Sequence, residues 1–144
     1  MHFAKDMLDA QKFLGENGHE AIVPIDTQIC FENPHLNLNE CLEHCQSYEV
    51  DVDKDHFNKV ESSDAILVLN YPKKGINGYI GGATLMEIAI ARHFDKKIFI
   101  LHDLPSEDIL RYSLEIKLAK PIILKGDLNN INEYLSISSS PLGD

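Results

Sequence analysis

The residues best suited to chemistry lie in one glycine-rich segment and at the start of the helix predicted to follow it. The segment reads Gly75-Ile-Asn-Gly-Tyr-Ile-Gly-Gly-Ala-Thr-Leu-Met-Glu87. Glycines allow a backbone to approach a ligand closely, and free N–H groups at a helix start attract anions such as phosphate or carboxylate. No lysine follows the glycines as in a P-loop, and the spacing of Gly78, Gly81 and Gly82 is not that of the dinucleotide GxGxxG. The segment therefore predicts a binding turn without specifying its ligand.

Glu87 is the one acidic residue in this segment, and two interpretations of it are open. Thr84-Leu-Met-Glu87 has the spacing of a capping box, in which both side chains bond to N–H groups at the helix start. In the other interpretation, the helix N-terminus keeps the carboxylate ionised and ready to act as a nucleophile.

Further polar residues follow the predicted strands. Ala65-Ile-Leu-Val-Leu69 is a continuous apolar run that predicts a central strand, and Asn70 and Tyr71 come directly after it. Ligands of open parallel sheets bind beyond the carboxyl ends of the strands. The same reasoning makes candidates of Asp26, His102 and Asp103.

The elements that position these residues alternate along the chain. Apolar periodicity predicts helices at 3–16, about 36–47, 53–62, 85–94 and 106–119, with Asp127 capping a final helix. Short apolar runs predict strands at 20–24, 65–69, 97–101 and 121–124. This alternation implies an α/β fold with a parallel sheet flanked by helices.

The order of elements is unusual because a helix comes first. Doubly wound domains of this size usually open with a strand from the middle of the sheet. We therefore expect that the native first strand is missing from this chain, and that it belongs between the strand ending at Pro24 and the strand ending at Asn70.

Length and composition limit the function classes. A chain of 144 residues fits a single domain, expected over 1–135, with a disordered tail at 136–144. The net charge of −10 argues against a nucleic-acid polymer as partner, and no apolar run is long enough for a membrane span. A cytoplasmic location with reduced thiols is expected. Cys41, His44 and Cys45 raise the question of a metal site, but three side chains in one helical segment are weak evidence for zinc, and a half-buried helix face is the favoured interpretation.

Three segments together resemble the nucleoside 2-deoxyribosyltransferase-like superfamily, including its deoxynucleoside-monophosphate N-glycosidase relatives. They are Ser63-Asp-Ala-Ile-Leu-Val-Leu-Asn70, Gly81-Gly-Ala-Thr-Leu-Met-Glu-Ile-Ala-Ile-Ala91 and Lys96-Lys-Ile-Phe-Ile100, and the resemblance extends over about 4–135. It implies a flavodoxin-like or Rossmann-like sheet, homo-oligomers, and a glutamate nucleophile that corresponds to Glu87.

The implied reaction is retaining glycosyl transfer or hydrolysis on a small nucleoside or nucleotide, with no metal or redox cofactor. The residues expected to bind substrate are Asn70, Tyr71, Tyr79, Gly81, Gly82 and Thr84. Transferases of the family carry an acidic residue before the glutamate that helps to protonate the leaving base, whereas residues 72–86 contain no Asp or Glu.

Two alternatives stay open from the sequence. One is a phosphoribohydrolase that releases bases from nucleotides, whose signature also pairs two glycines and a threonine with a glutamate at a spacing one residue longer. The other is a non-catalytic module that senses nucleotides, in which the glycine turn binds and Glu87 only caps the helix.

Overall fold

The computed structural model describes residues 4–37, 39–40, 43 and 51–135. The chain divides into two compact units, one formed from Met1–Lys59 and Asn132–Asp144 and the other from Val60–Ile131. The fold is of the mixed α/β type, with a parallel sheet in the second unit. The predicted tail and most of the helix expected at 36–47 lie outside the described residues.

The first unit begins with helix α1 at Ala4–Glu16, in agreement with the predicted periodicity. Helix α2, at Ile25–Glu32, packs against α1. The hydroxyl of buried Thr27 donates to the sulfur of Met7 at 3.7 Å. Helix α3 follows at Val52–Ser62 and contains the boundary between the two units.

The strand predicted at 20–24 is wrong, because these residues have no regular structure. The carbonyl of Ala21 accepts a hydrogen bond from the side chain of Gln11 instead of from a neighbouring strand. The carbonyl of Pro24 accepts from the backbone N–H of Thr27 and so begins α2. A run of this length gains too little from one apolar face to form a strand without a partner.

The second unit contains three parallel strands in the order β1-β2-β3, at Ala65–Val68, Lys97–Ile100 and Ile122–Ile123. Helix α4, at Gly82–His93, connects β1 to β2 and packs against both. Helix α5, at Ser113–Leu118, precedes β3, and a 3-10 helix follows at Leu128–Glu133.

The core of this unit lies between α4, α5 and the sheet. It is built from Ile88 and Ala91 of α4, Ile98 and Ile100 of β2, and Ile116 of α5, each at most 2% exposed. The last three residues of β2 are buried on both faces of the sheet, whereas β1 is mostly half-buried. The central strand among the described residues is therefore β2, not the strand after Asp64 as predicted.

Two further predictions concern the later helices. The helix expected over 106–119 forms only from Ser113 onward. The carbonyl of Ser106 accepts from the N–H groups of Ile109 and Leu110 and closes a single turn, and the helix does not continue through Tyr112, which is the N-cap of α5. The predicted cap at Asp127 is confirmed, since its carboxylate accepts from the N–H of Asn129 at 2.9 Å at the start of the 3-10 helix.

None of the helices in the described part of the chain is long and apolar enough to cross a membrane.

Candidate functional site

Asn70 joins three backbone segments at the carboxyl edge of the sheet. Its side chain is 1% exposed, and its amide nitrogen donates to the carbonyl of His102 at 2.9 Å and to that of Gly78 at 3.4 Å. Its amide oxygen accepts from the N–H of His102 at 2.8 Å. Because both ends of the amide are bound to backbone, Asn70 fixes the positions of the segments after β1 and β2. Its predicted contact with a substrate stays a prediction.

The side chains that follow β1 and β2 also meet at this edge. The rings of Tyr71 and His102 contact each other edge to face, with centroids 5.5 Å apart. Asp103 pairs with Lys125, which follows β3, at 3.0 Å, and both side chains are exposed. Asn70, Tyr71, His102 and Asp103 thus lie together at the carboxyl edge of the sheet, and their role in binding a ligand stays a prediction. Of Asp26, the structure describes only the backbone, in α2.

The glycine segment folds back against the loop after β2. Gly78 is buried with φ +77°, and a Cβ built at this position would lie 2.2 Å from the carbonyl oxygen of Asp103. A side chain is therefore excluded here by both the backbone conformation and the neighbouring chain. The close approach that the glycines permit at this position is to the protein's own backbone.

Two tyrosines take part in the packing of this segment, Tyr79 within it and Tyr112 at the start of α5. Tyr79 packs against the core, and the ammonium group of Lys74 lies 5.7 Å from its ring centroid. The hydroxyl of Tyr112 donates to the carbonyl of Ile80, just before α4. Burial, and secondarily the proximity of Tyr79, raise the pKa of Tyr112 above its ordinary value.

The start of α4 has no side-chain cap. Gly81 is the N-cap residue, with φ −83° and ψ 173°, and as a glycine it makes no side-chain cap hydrogen bond. Thr84 is then the third residue of the helix and cannot act as its N-cap. The capping-box interpretation of Thr84 and Glu87 is therefore wrong, because the helix begins three residues earlier than the box requires.

Glu87 lies in the second turn of α4 and is half-buried. Thr84 precedes it by three residues and Ala91, which is 0% exposed, follows it by four, so the three share one face of the helix. The field of a helix N-terminus falls off within the first turn. Because Glu87 lies in the second turn, this field supports the expected ionised carboxylate less than a position in the first turn would. The sequence did not predict that Glu87 lies at the edge of the buried face of the helix.

The two other predicted glycine sites differ in their surroundings. A Cβ at Gly81 would lie 3.6 Å from the ring of Tyr79, and one at Gly82 would meet nothing within 4 Å. Gly82 thus faces open space at an uncapped helix start.

Cys41, His44 and Cys45 lie outside the described residues, and no group of three potential metal-binding side chains occurs elsewhere in the described chain.

Sequence reasoning missed three residues of this edge. Lys125 and Gly126 follow β3, so the same rule that selected His102 would have found them. Tyr112 had no such signal, because it lies within a segment predicted to be helical throughout.

Comparisons with protein-family models, curated proteins and solved structures returned no match.

Proposed function

We propose that this chain cleaves, or transfers the sugar of, the N-glycosidic bond of a small nucleoside or nucleotide, with Glu87 as the nucleophile. The finer fold assignment, a flavodoxin-like or Rossmann-like domain of the nucleoside 2-deoxyribosyltransferase-like superfamily, is part of this proposal. So is self-association, which light scattering at micromolar concentration tests directly.

The position of Glu87 is the observation that carries the proposal. Its half-buried carboxylate lies on the face of α4 that also carries Thr84, one turn beyond an uncapped helix start. Since Gly81 is the N-cap of α4, Glu87 lies beyond the capping positions of the helix. A carboxylate at the edge of a binding turn is the group that retaining cleavage of a glycosidic bond requires.

The glycine turn supports the same proposal. The N-cap Gly81 gives the first N–H groups of α4 no side-chain cap, and a Cβ at Gly82 would meet nothing within 4 Å. Such a helix start can accept an anionic group or sugar hydroxyls of a ligand. Tyr71 and Tyr79 are half-buried aromatic side chains suited to contact a sugar or a base.

The proposed reaction has two steps. A carboxylate oxygen of Glu87 forms a bond to the anomeric carbon, and the electron pair of the C–N bond leaves with the base, which takes up one proton. Water or a second base then attacks the same carbon, and the pair of the C–O bond returns to Glu87. The sugar keeps its anomeric configuration because two inversions cancel.

A substrate panel with variants of Glu87 tests the proposal. Nucleosides and 5′-monophosphates of the common bases are incubated with the protein, and released base is separated by chromatography. We expect Glu87→Gln to reduce release on the order of 10³-fold or more, because the amide cannot serve as nucleophile. Glu115→Gln, which removes an exposed carboxylate on α5, is the matched control and should behave as wild type.

The same panel distinguishes the alternatives. Activity that survives in Glu87→Gln would rule out the nucleophile assignment. Nucleotide binding without base release by the wild type would favour the sensing module, and release only from 5′-monophosphates of ribose would favour a phosphoribohydrolase. A mass increase on the peptide that contains Glu87, after incubation with a 2-fluoro sugar analogue, would identify the covalent intermediate directly.

A further inference from the structure

We infer that His102 donates the proton that the departing base takes up, a role that rests on the proposed function of Glu87. A neutral base leaves as a poor anion unless it is protonated, so this reaction needs a proton donor near the base. The glycine segment supplies no such donor, because residues 72–86 contain neither Asp nor Glu. Histidine is the side chain most often used for this purpose.

The topology places His102 at the same edge of the sheet as the start of α4. The residue lies just beyond the carboxyl end of β2, and α4 is the helix that leads from the carboxyl end of β1 back to β2. Since β1 and β2 are parallel, their carboxyl ends lie at one edge, where the first turns of the connecting helix also lie. The first turns of α4, which carry Glu87, therefore lie at the same edge of the sheet as His102.

Contacts hold the imidazole of His102 in place while leaving its nitrogens available. Its backbone N–H and carbonyl are both bound by the side chain of Asn70. The ring contacts the ring of Tyr71, and a Cβ at Gly126 would lie 3.6 Å from its Cε1 and Nδ1 atoms. Within the described residues, His102 hydrogen bonds only through its backbone.

Two neighbouring acidic groups are already engaged by the protein. The carboxylate of Asp103 accepts a hydrogen bond from the ammonium group of Lys125 at 3.0 Å. The hydroxyl of Tyr112 donates to the carbonyl of Ile80. Among these groups, the imidazole of His102 is the one whose N–H is free to reach a ligand.

The proton balance closes with this assignment. Imidazolium His102 transfers its N–H proton to a ring nitrogen or carbonyl oxygen of the base as the C–N bond breaks, and becomes neutral imidazole. In the second step the attacking water gives one proton to that imidazole while its oxygen bonds to the anomeric carbon. The sum is one water consumed, and one sugar and one base released.

The test compares 2′-deoxyguanosine 5′-monophosphate with its 7-methyl counterpart. The 7-methylguanine of the second compound carries a positive charge and leaves as a neutral base without protonation. Release is measured in the first turnover, with enzyme in excess over substrate, because His102 also accepts a proton from water in the second step. In that turnover we expect His102→Asn to lower guanine release on the order of 10²-fold, the usual contribution of a general acid, and 7-methylguanine release by less than about threefold. The ratio of the two rates does not depend on how much of the variant is folded.

Glu87→Gln should abolish release from both compounds, and His93→Asn, which removes an exposed histidine at the end of α4, should change neither rate. An equal loss on both compounds in His102→Asn would show that the residue is structural, and no loss on either would show that it donates no proton. Failure of the wild type to release base from either compound would overturn the proposed function and the role of His102 with it.

Discussion

The side-chain amide of Asn70 pairs with the backbone of His102 in both directions, donating to its carbonyl at 2.9 Å and accepting from its N–H at 2.8 Å. Asn70 follows β1 and His102 follows β2, so the amide continues the pairing of two strands beyond their last backbone contact. The geometry of the candidate site depends on this link, because His102 and Gly78 are both held by it.

Asn70→Ala should therefore destabilise the protein. The substitution leaves the N–H of His102 and two carbonyls without their partner in a buried position, and each such group costs about 1–3 kcal/mol. We expect the free energy of unfolding in urea to fall by about 2–4 kcal/mol. Asn77→Ala, at an exposed position of the same loop, should change it by less than about 0.5 kcal/mol; equal effects of the two substitutions would contradict the linking role.

Gly78 and Gly75 form a matched pair for the close approach of the two loops. Both have positive φ, at +77° and +73°, but only at Gly78 would a Cβ meet another atom, the carbonyl oxygen of Asp103 at 2.2 Å. Gly75→Ala should cost about 1–2 kcal/mol of folding stability, the backbone term alone. Gly78→Ala should cost at least about 3 kcal/mol, because a backbone segment must also shift. Urea unfolding of both variants measures the difference, which should vanish if the loops do not touch.

Gly82→Ala separates folding from ligand binding. A methyl group at this position meets nothing in the protein, so the thermal midpoint should stay the same or rise, as alanine is better than glycine in a helix by about 0.5–1 kcal/mol. If a ligand approaches the start of α4, the same methyl group should lower base release by about tenfold or more. Gly15→Ala in α1, where a Cβ also meets nothing, is the control and should leave activity unchanged. Unchanged activity in Gly82→Ala would place the ligand elsewhere.

The raised pKa of Tyr112 predicts a pH dependence at the alkaline end. Burial disfavours the tyrosinate in the folded state, so the folded protein binds the hydroxyl proton more tightly than the unfolded chain, where the pKa of tyrosine is about 10. This stability is fully present below about pH 10 and is lost as the pH rises through the pKa of the folded state. The unfolding free energy of Tyr112→Phe should consequently fall less steeply above about pH 10 than that of the wild type. Parallel curves would show that Tyr112 does not contribute.

Patterns that depend on near neighbours in the chain were predictable. The bounds of α1, α3, β1 and β2 follow from runs and periods of apolar residues, and the Asp127 cap from its place before a helical turn. The strand expected at 20–24 failed because a strand needs a partner, which no local pattern guarantees. The helix over 106–119 was too long, since turns precede Ser113, and Tyr112 among them bonds through its hydroxyl to the carbonyl of Ile80, far away in the sequence.

The sequence by itself determined that an apolar strand, a glycine turn and a helix bearing Glu87 follow one another, and that Asn70, Tyr71, His102 and Asp103 lie at strand ends. These features depend on residue type and spacing along the chain. Only the tertiary structure decided that Asn70 is a buried link, that α4 starts at Gly82 and excludes the capping box, and that the imidazole of His102 lies close to both Tyr71 and Gly126. Each of these depends on contacts between segments brought together by the sheet, because hydrogen bonds and packing act over a few ångströms in space whatever the distance along the chain.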